Sequence, residues 1–395
     1  MIPRGPVLAL IGAFMAAIVS CQAHDSVGQA EDLPLWQASV DVRIGTALGP
    51  GPTFGQISGM AATPEGTVLV IDAQARHVLE FDSVGNLIRR FGGAGQGPGE
   101  FWSPAYVGLL RGLIWVTDEN QRRVTYFTRE GEPVRTTSLR LSTEMHPQRL
   151  SMARGPLGMK HYVAPVSMSA MAIPDWHEDR LPIVKIDEAG RVVDTLAFSR
   201  LSTNTVFVAR HPDRPWSGHV APQPFATNTH WAILPDCTGI LVVDVRQDDP
   251  AIVLVEISER GDTVWSRTHP FSPVSIPSRQ LEAVRTDYTE KVLNAPGTGA
   301  TTVEAARRMV DHALYVPPFL PAVTDLVVAE NGDVLLRREP PRDGDPQRWT
   351  LFSNGEAVAD LAIPNGVFVR AASDRVLWGI LLDEWSVQYV VRLRI

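Results

Sequence analysis

Two short clusters carry the side chains best suited to chemistry. His177, Glu178 and Asp179 are consecutive, and His211, Asp213 and His219 lie in one later segment. Imidazole and carboxylate together ligate Zn²⁺ or Ca²⁺, so the clusters form a candidate metal site. No spacing among them demands a metal, and loop histidines and carboxylates are mostly solvated. Asp72 and Asp118 invite a catalytic role because they recur in matching contexts. A carboxylate that repeats in this way more often accepts backbone N–H groups of the following turn. That is the expectation for both, and Glu100 is read as turn chemistry too. There is no G-x-S-x-G elbow, phosphate-cradling P-loop or C-x-x-C pair, so the chemistries those motifs carry have no support.

A third group suits recognition rather than reaction. Trp176, Arg180, Arg214, Trp216, Arg342 and Trp385 are of the types most enriched at binding hot spots. With His177 and His211 they are the candidate binding residues.

The scaffold that must hold these groups is announced by residues 92–101 (GGAGQGPGEF). A degenerate copy, GTALGPGPTF, occupies residues 45–54 and aligns without gaps, Gly92 on Gly45 and Phe101 on Phe54. Glycines permit positive φ and prolines fix φ, so each copy makes a compact turn. Beyond each turn the match continues: Asp72 with Asp118, Val78 with Val124, Phe81 with Phe127, Gly85 with Gly131. Each unit is a run of short alternating or β-branched segments broken by turn residues, which reads as four strands. A period of roughly 40–50 residues with four strands marks a propeller blade.

These residues resemble NHL-type repeats: the G-x-G-x-G-P-G-E-F turn, an Asp closing the second strand, and an aromatic-x-x-x-Gly hairpin. The chain is most similar to the six-bladed β-propeller proteins of bacterial envelopes. The resemblance is specific over residues 39–141 and topological beyond. It implies an all-β fold of four-stranded antiparallel blades. In such propellers, gluconolactonase-like and amidating-lyase-like enzymes take metal ligands from inner strand ends of several blades.

Composition agrees with one large β domain. The 395 residues are 44% hydrophobic and 20% charged, an ordinary globular balance. A net charge of −8 argues against nucleic acid as a partner. Lysine occurs only at positions 160, 185 and 291, so arginine carries the positive charge.

Residues 1–21 read as a targeting segment. Arg4 begins it, and an apolar run over residues 7–19 is too short to span as a mature helix. Ile18-Val19-Ser20-Cys21 resembles a bacterial lipobox, which implies that Cys21 becomes a diacylated N-terminus. Acyl chains contribute ~0.8 kcal/mol per buried CH₂, so two or three anchor stably. Gln22, in place of Asp, implies the outer membrane for a Gram-negative lipoprotein. Residues 22–35 are then a polar tether and 36–395 the propeller. Cys237 has no partner once Cys21 is lipidated and reads as a small buried residue.

Residues 36–44 align with the fourth strand of a blade, whose other strands fall at 366–371, 375–382 and 387–393 near the C-terminus. The last blade is therefore expected to be closed by the N-terminal strand, which removes a free sheet edge. Blade three is expected at 148–153, 160–164, 181–187 and 192–197. Blade four falls at 229–234, 239–245, 251–258 and 263–268, and blade five at 322–329, 333–338, 348–352 and 357–363. That makes six blades; seven stays open, because the two long insertions have room for a degenerate one. Trp115, Trp231, Trp265 and Trp378 alternate within strands and are assigned to the core between blades.

Strand parity puts the turn between strands two and three on the same face as the connection to the next blade. The long segments 164–180, 338–347, 199–228 and 271–321 all fall on that face, where binding tends to live. The 271–321 insertion holds two helices. Thr301 and Glu304 fit a capping box, followed by a stripe of Val303, Ala306, Val310, Ala313 and Leu314. Residues 279–293 carry Leu281, Val284, Tyr288 and Val292 on another. The pair reads either as a lid over the central funnel or as packing between loops.

Two functions remain. The first is a lipid-anchored module that binds a peptide, glycan or envelope protein through the decorated face, without a cofactor. The second is a hydrolase or lyase with Ca²⁺ or Zn²⁺ in the central channel.

Overall fold

The computed structural model describes residues 33–47, 51–139, 148–150, 152–168, 180–200, 206–246, 249–338 and 345–395. The chain enters as β1 (Leu35–Gln37) and β2 (Ser39–Ile44). Blade one is β3 (Ile57–Ala62), β4 (Val68–Asp72), β5 (His77–Phe81) and β6 (Leu87–Gly92). Blade two is β7 (Pro104–Leu110), β8 (Leu113–Asp118), β9 (Arg123–Phe127) and β10 (Pro133–Ser138). Blade three divides its inner strand into β11 (Gln148–Leu150) and β12 (Gly155–Leu157), ahead of β13 (His161–Met168), β14 (Arg180–Asp187) and β15 (Val192–Arg200). A hairpin, β16 (Val206–His211) with β17 (Arg214–Pro222), comes next. Blade four follows as β18 (His230–Ile233), β19 (Gly239–Arg246), β20 (Ala251–Ser258) and β21 (Thr263–Pro270). Helices α1 (Ser278–Asn294) and α2 (Val303–Ala313) precede blade five: β22 (Asp325–Val328), β23 (Val334–Arg338), β24 (Gln347–Ser353) and β25 (Glu356–Ile363). Blade six is β26 (Val367–Ser373), β27 (Val376–Leu382) and β28 (Gln388–Arg394), completed by β2. Among the described residues no helix is long and apolar enough to cross a membrane.

Burial explains the strand sequences. The second strands β4 (VLVID) and β8 (LIWVTD) are covered on both faces and read as near-continuous apolar runs. The outermost strands β6, β10 and β21 face solvent and carry polar residues. Six apolar clusters each straddle one pair of neighbouring blades. Between blades six and one, Trp378 meets Val68, Val70 and Phe81; between five and six, Trp349 meets Leu377 and Val391. Burying each such side chain contributes about 1.5–3 kcal/mol, so stability is spread around the ring.

The downstream copy of the repeated turn is held by its own backbone and by Glu100. Gly92 has φ +82°, and a Cβ there would lie 2.4 Å from the Phe101 ring, so only glycine fits. The Phe101 N–H donates to the Gly93 carbonyl at 2.6 Å, and Gly97 N–H donates to the Glu100 carboxylate at 2.7 Å. Asp72 and Asp118 are the structural residues expected. Asp72 accepts N–H groups of Gly55, Gln56, Gln74 and Ala75. Asp118 accepts those of Trp102, Ser103 and Gln121.

The ring closes through β2, which pairs antiparallel with β28 from Ser39↔Arg394 to Ile44↔Val390. A bulge at Asp41 turns its carboxylate to the buried Arg392 guanidinium, at 2.9 and 2.6 Å. Arg392 also donates to the Ser83 carbonyl of blade one, tying β2 and β28 to the β5–β6 turn at the seam.

Four details differ from the expectations. Trp36 is not in the closing strand: β1 pairs parallel with β25 at the edge of blade five, and only from Ser39 does the chain cross to blade six. In blade three, 155–157 (Gly-Pro-Leu) pairs with β13 rather than turning. The helix cap is Thr302, whose hydroxyl accepts from Ala305 N–H, while Glu304 pairs with Arg308 at 2.8 Å. The 199–228 insertion contains a hairpin that sequence patterning did not suggest, because Pro212 and Pro215 break its alternation.

Candidate functional site

Trp176, His177 and Arg342, with Glu178 and Asp179, lie outside the described residues. Of the other candidates, His211, Arg214 and Trp216 come together on the β16–β17 hairpin. Arg180 begins β14, exposed and in register with Arg200. Trp385 sits in the β27–β28 turn of blade six, its N–H held by Asp383 at 2.9 Å, three blades around the ring from blade three. Of the described candidates, His211, Arg214 and Trp216 share one hairpin, while Arg180 and Trp385 stand on other blades.

The two insertions instead fold onto each other. Phe207 and Ala209 on one face of the hairpin meet Tyr288 and Val292 of α1 and Ala306 and Val310 of α2 in a separate apolar cluster. The Phe207 and Tyr288 rings meet edge-on, centroids 4.8 Å apart. Polar ties fix the arrangement: the Tyr288 hydroxyl donates to the Pro222 carbonyl at 2.5 Å and Ser217 Oγ to the Gly297 carbonyl at 3.0 Å. Gln223 Nε2 donates to the Ala313 carbonyl at 2.9 Å. Alternation along β17 then turns Arg214, Trp216 and Val220 outward, all three exposed, with Trp216 74% accessible.

His211 Nδ1 accepts the Asp213 N–H at 3.0 Å, and His219 packs edge-on against Phe207 on the inner side. Among the described residues no three His, Cys, Asp or Glu side chains converge as a metal site would require. Cys237 is free and buried; burial pushes its thiol up to about 12, so it is a core residue and not a nucleophile.

The concave feature of the ring is its central channel, a cavity of about 1060 Å³ lined by the inner strands of the blades. No residue of α1 or α2 lines it; the helices pack against the hairpin. Four arginines and four carboxylates reach it, and half of them are matched. Arg370 pairs with Asp325 at 3.1 Å and Arg129 with Glu65 at 2.8 Å. Arg154 is different. It follows the break in blade three's inner strand, anchored by its N–H to the Val163 carbonyl at 2.8 Å. Its guanidinium lies 4.6 Å from the Trp231 ring centre and 5.8 Å from that of Tyr106.

Sequence reasoning missed this group. Trp231, assigned to the core, is half-buried on the channel wall, whereas Trp115 and Trp378 are buried as expected. Trp265 is partly buried, its indole N–H donating to Glu256 at 2.7 Å. The available signal was an arginine directly before Gly155-Pro156, where an inner strand should be apolar.

No protein-family model matches the chain, and no curated protein sequence matches it. Solved structures do resemble it. One is a member of the DUF4221 family from Bacteroides vulgatus, at 10% identity and TM-score 0.49, covering 90% of this chain and 97% of that one. Another is virginiamycin B lyase from Staphylococcus aureus with quinupristin, at 8% identity and TM-score 0.40, covering 91% and 99%. A third is the calcium-binding protein regucalcin from Agrobacterium tumefaciens, at 10% identity and TM-score 0.39, covering 91% and 96%. The six-bladed ring itself rests on the strand pairings described above.

Proposed function

We propose that this protein is a lipid-anchored envelope propeller that binds a protein partner through the outer face of the β16–β17 hairpin. The observation that carries this reading is Trp216, 74% exposed on a hairpin whose opposite face is held by its own apolar core. A large aromatic displayed on a fixed support loses little freedom on binding, and Arg214 beside it supplies a directional donor. Cys21 and the preceding apolar run support membrane attachment by acylation.

The test is recovery of the acylated protein from its own envelope after cross-linking. Partners captured by the wild type are expected to be lost from Trp216→Ala and kept by Trp385→Ala, with both variants melting as the wild type does. Retention of the same partners by Trp216→Ala would sink the reading. Cys21→Ala is expected to move the protein out of the membrane fraction and abolish labelling by radioactive palmitate. Stoichiometric Ca²⁺ or Zn²⁺ in the purified protein, with melting lowered by a chelator, would favour a metal-dependent hydrolase or lyase instead.

A further inference from the structure

We propose that the central channel is a second, separate binding site, for a small carboxylic acid with an apolar or aromatic body, and that Arg154 holds its carboxylate. The guanidinium is a planar cation with five N–H donors in its plane and none on its faces. Trp231 and Tyr106, from the blades on either side, approach within cation–π range. This steadies the group through its faces rather than its donor edge. Among the described residues no carboxylate or carbonyl accepts from that edge, unlike Arg370 and Arg129, which have carboxylate partners. Arg111, the remaining channel arginine, is exposed in the β7–β8 turn.

A charge that faces a concave wall of low dielectric is costly without a counter-ion, and an anionic ligand supplies one. A carboxylate matches the guanidinium fork with two parallel hydrogen bonds. The rest of the wall sets the ligand body: Met60, Val107, Trp115, Ile233 and Val327 line the same cavity and favour apolar or aromatic carbon. Asp325 and Glu65 are paired with Arg370 and Arg129, which leaves Asp236 and Glu330 as the other carboxylates of the wall beside Arg154 and Arg111; of these two arginines Arg154 is the one flanked by aromatic rings.

The experiment is calorimetric titration of the purified full chain with 3-phenylpropionate, its neutral amide and phenyl phosphate. Saturable binding of the carboxylate is expected, with the amide about tenfold weaker or worse. Arg154→Met keeps the aliphatic stem and removes the fork, and should weaken the carboxylate by about tenfold without changing the amide. Arg154→Lys should fall between, because ammonium is a point charge. Unchanged circular dichroism and melting of these variants confirm that the ring is intact; if Arg154→Met does not fold, Arg154→Lys carries the comparison. Equal affinity for acid and amide, wild-type affinity in Arg154→Met, or no binding of the acid at millimolar concentration overturns the proposal. Tighter binding of phenyl phosphate than of the carboxylate overturns the ligand class. None of these outcomes depends on the hairpin binding a partner.

Discussion

Blades one and two fasten their entry loops differently from blade four. In the first two, a single buried carboxylate gathers the backbone: Asp72 takes four N–H groups and Asp118 takes those of Trp102, Ser103 and Gln121. In blade four the connection runs out into the β16–β17 hairpin, and among the described residues no loop N–H is donated to the matching carboxylate. Asp244 of β19 holds the two roots instead. It accepts from the Arg200 guanidinium at 3.1 Å and from the Thr229 hydroxyl at 3.3 Å. The helical insertion is likewise closed at its neck, where Ser275 bridges Phe319 and Leu320 N–H donates to the Val274 carbonyl at 2.8 Å. The short loops thus gather their N–H groups onto one carboxylate, whereas the hairpin insertion is closed at its roots by a side-chain clasp and the helical one by backbone bonds at its neck, so the ring carries both without opening.

The largest expected effect separates the insertions from the ring. Phe207→Ala should cost the accessory unit about 3–5 kcal/mol, by lost burial and the cavity left against Tyr288. Hydrogen exchange should then accelerate in residues 206–222 and 278–313, while protection of the blades is unchanged. Equal loss in both places would show that the insertions and ring unfold together.

Next is the backbone clasp. Asp118→Ala leaves several N–H groups without their acceptor and should lower stability by roughly 3 kcal/mol in urea denaturation, with Asp72→Ala similar. A loss under about 1 kcal/mol in both would mean that water replaces the carboxylate.

The closure seam gives a pH-dependent case. The hydrogen bond from Arg392 holds the Asp41 carboxyl below its ordinary value of 3.8. A depressed folded pKa means that this stabilisation is complete above the unfolded value and is lost as pH falls through the folded one. Asp41→Ala should therefore cost about 2 kcal/mol near neutral pH, discounted because Asp41 is partly exposed. The variant and wild-type stabilities should converge in strong acid; a constant difference down to pH 2 would remove the ionic explanation. The smallest effect is expected at the side-chain clasp. Arg200→Ala should cost about 1 kcal/mol or less, shrinking in high salt, since both partners of the pair are partly solvated.

What could be read in advance followed from local chemistry. The turn glycines and the recurring Asp72 and Asp118 are dictated by backbone conformation and hydrogen bonding, so they showed in the letters. So did the closing strand and both helices, because each carries its own periodicity. The hairpin did not show, since Pro212 in its turn and Pro215 in its second strand break the alternation, and its reason to exist is burial against helices some 80 residues later in the chain, as in the Ser217–Gly297 bond. Arg154 and Trp231 belong to separate blades and acquire meaning only when the ring brings them together. The β1 pairing was hidden for the same reason: three residues carry no pattern, and their partner strand is near the other end of the chain.

That short β1 strand has a mechanical consequence. Because it lies along blade five and β2 lies in blade six, tension applied upstream of Leu35 loads the three parallel pairs of β1 before it reaches the seam. Parallel pairing is the weaker kind per residue, so β1 acts as a sacrificial fuse. A stretched molecule should give a small first rip, with the ring still shut, ahead of the large one.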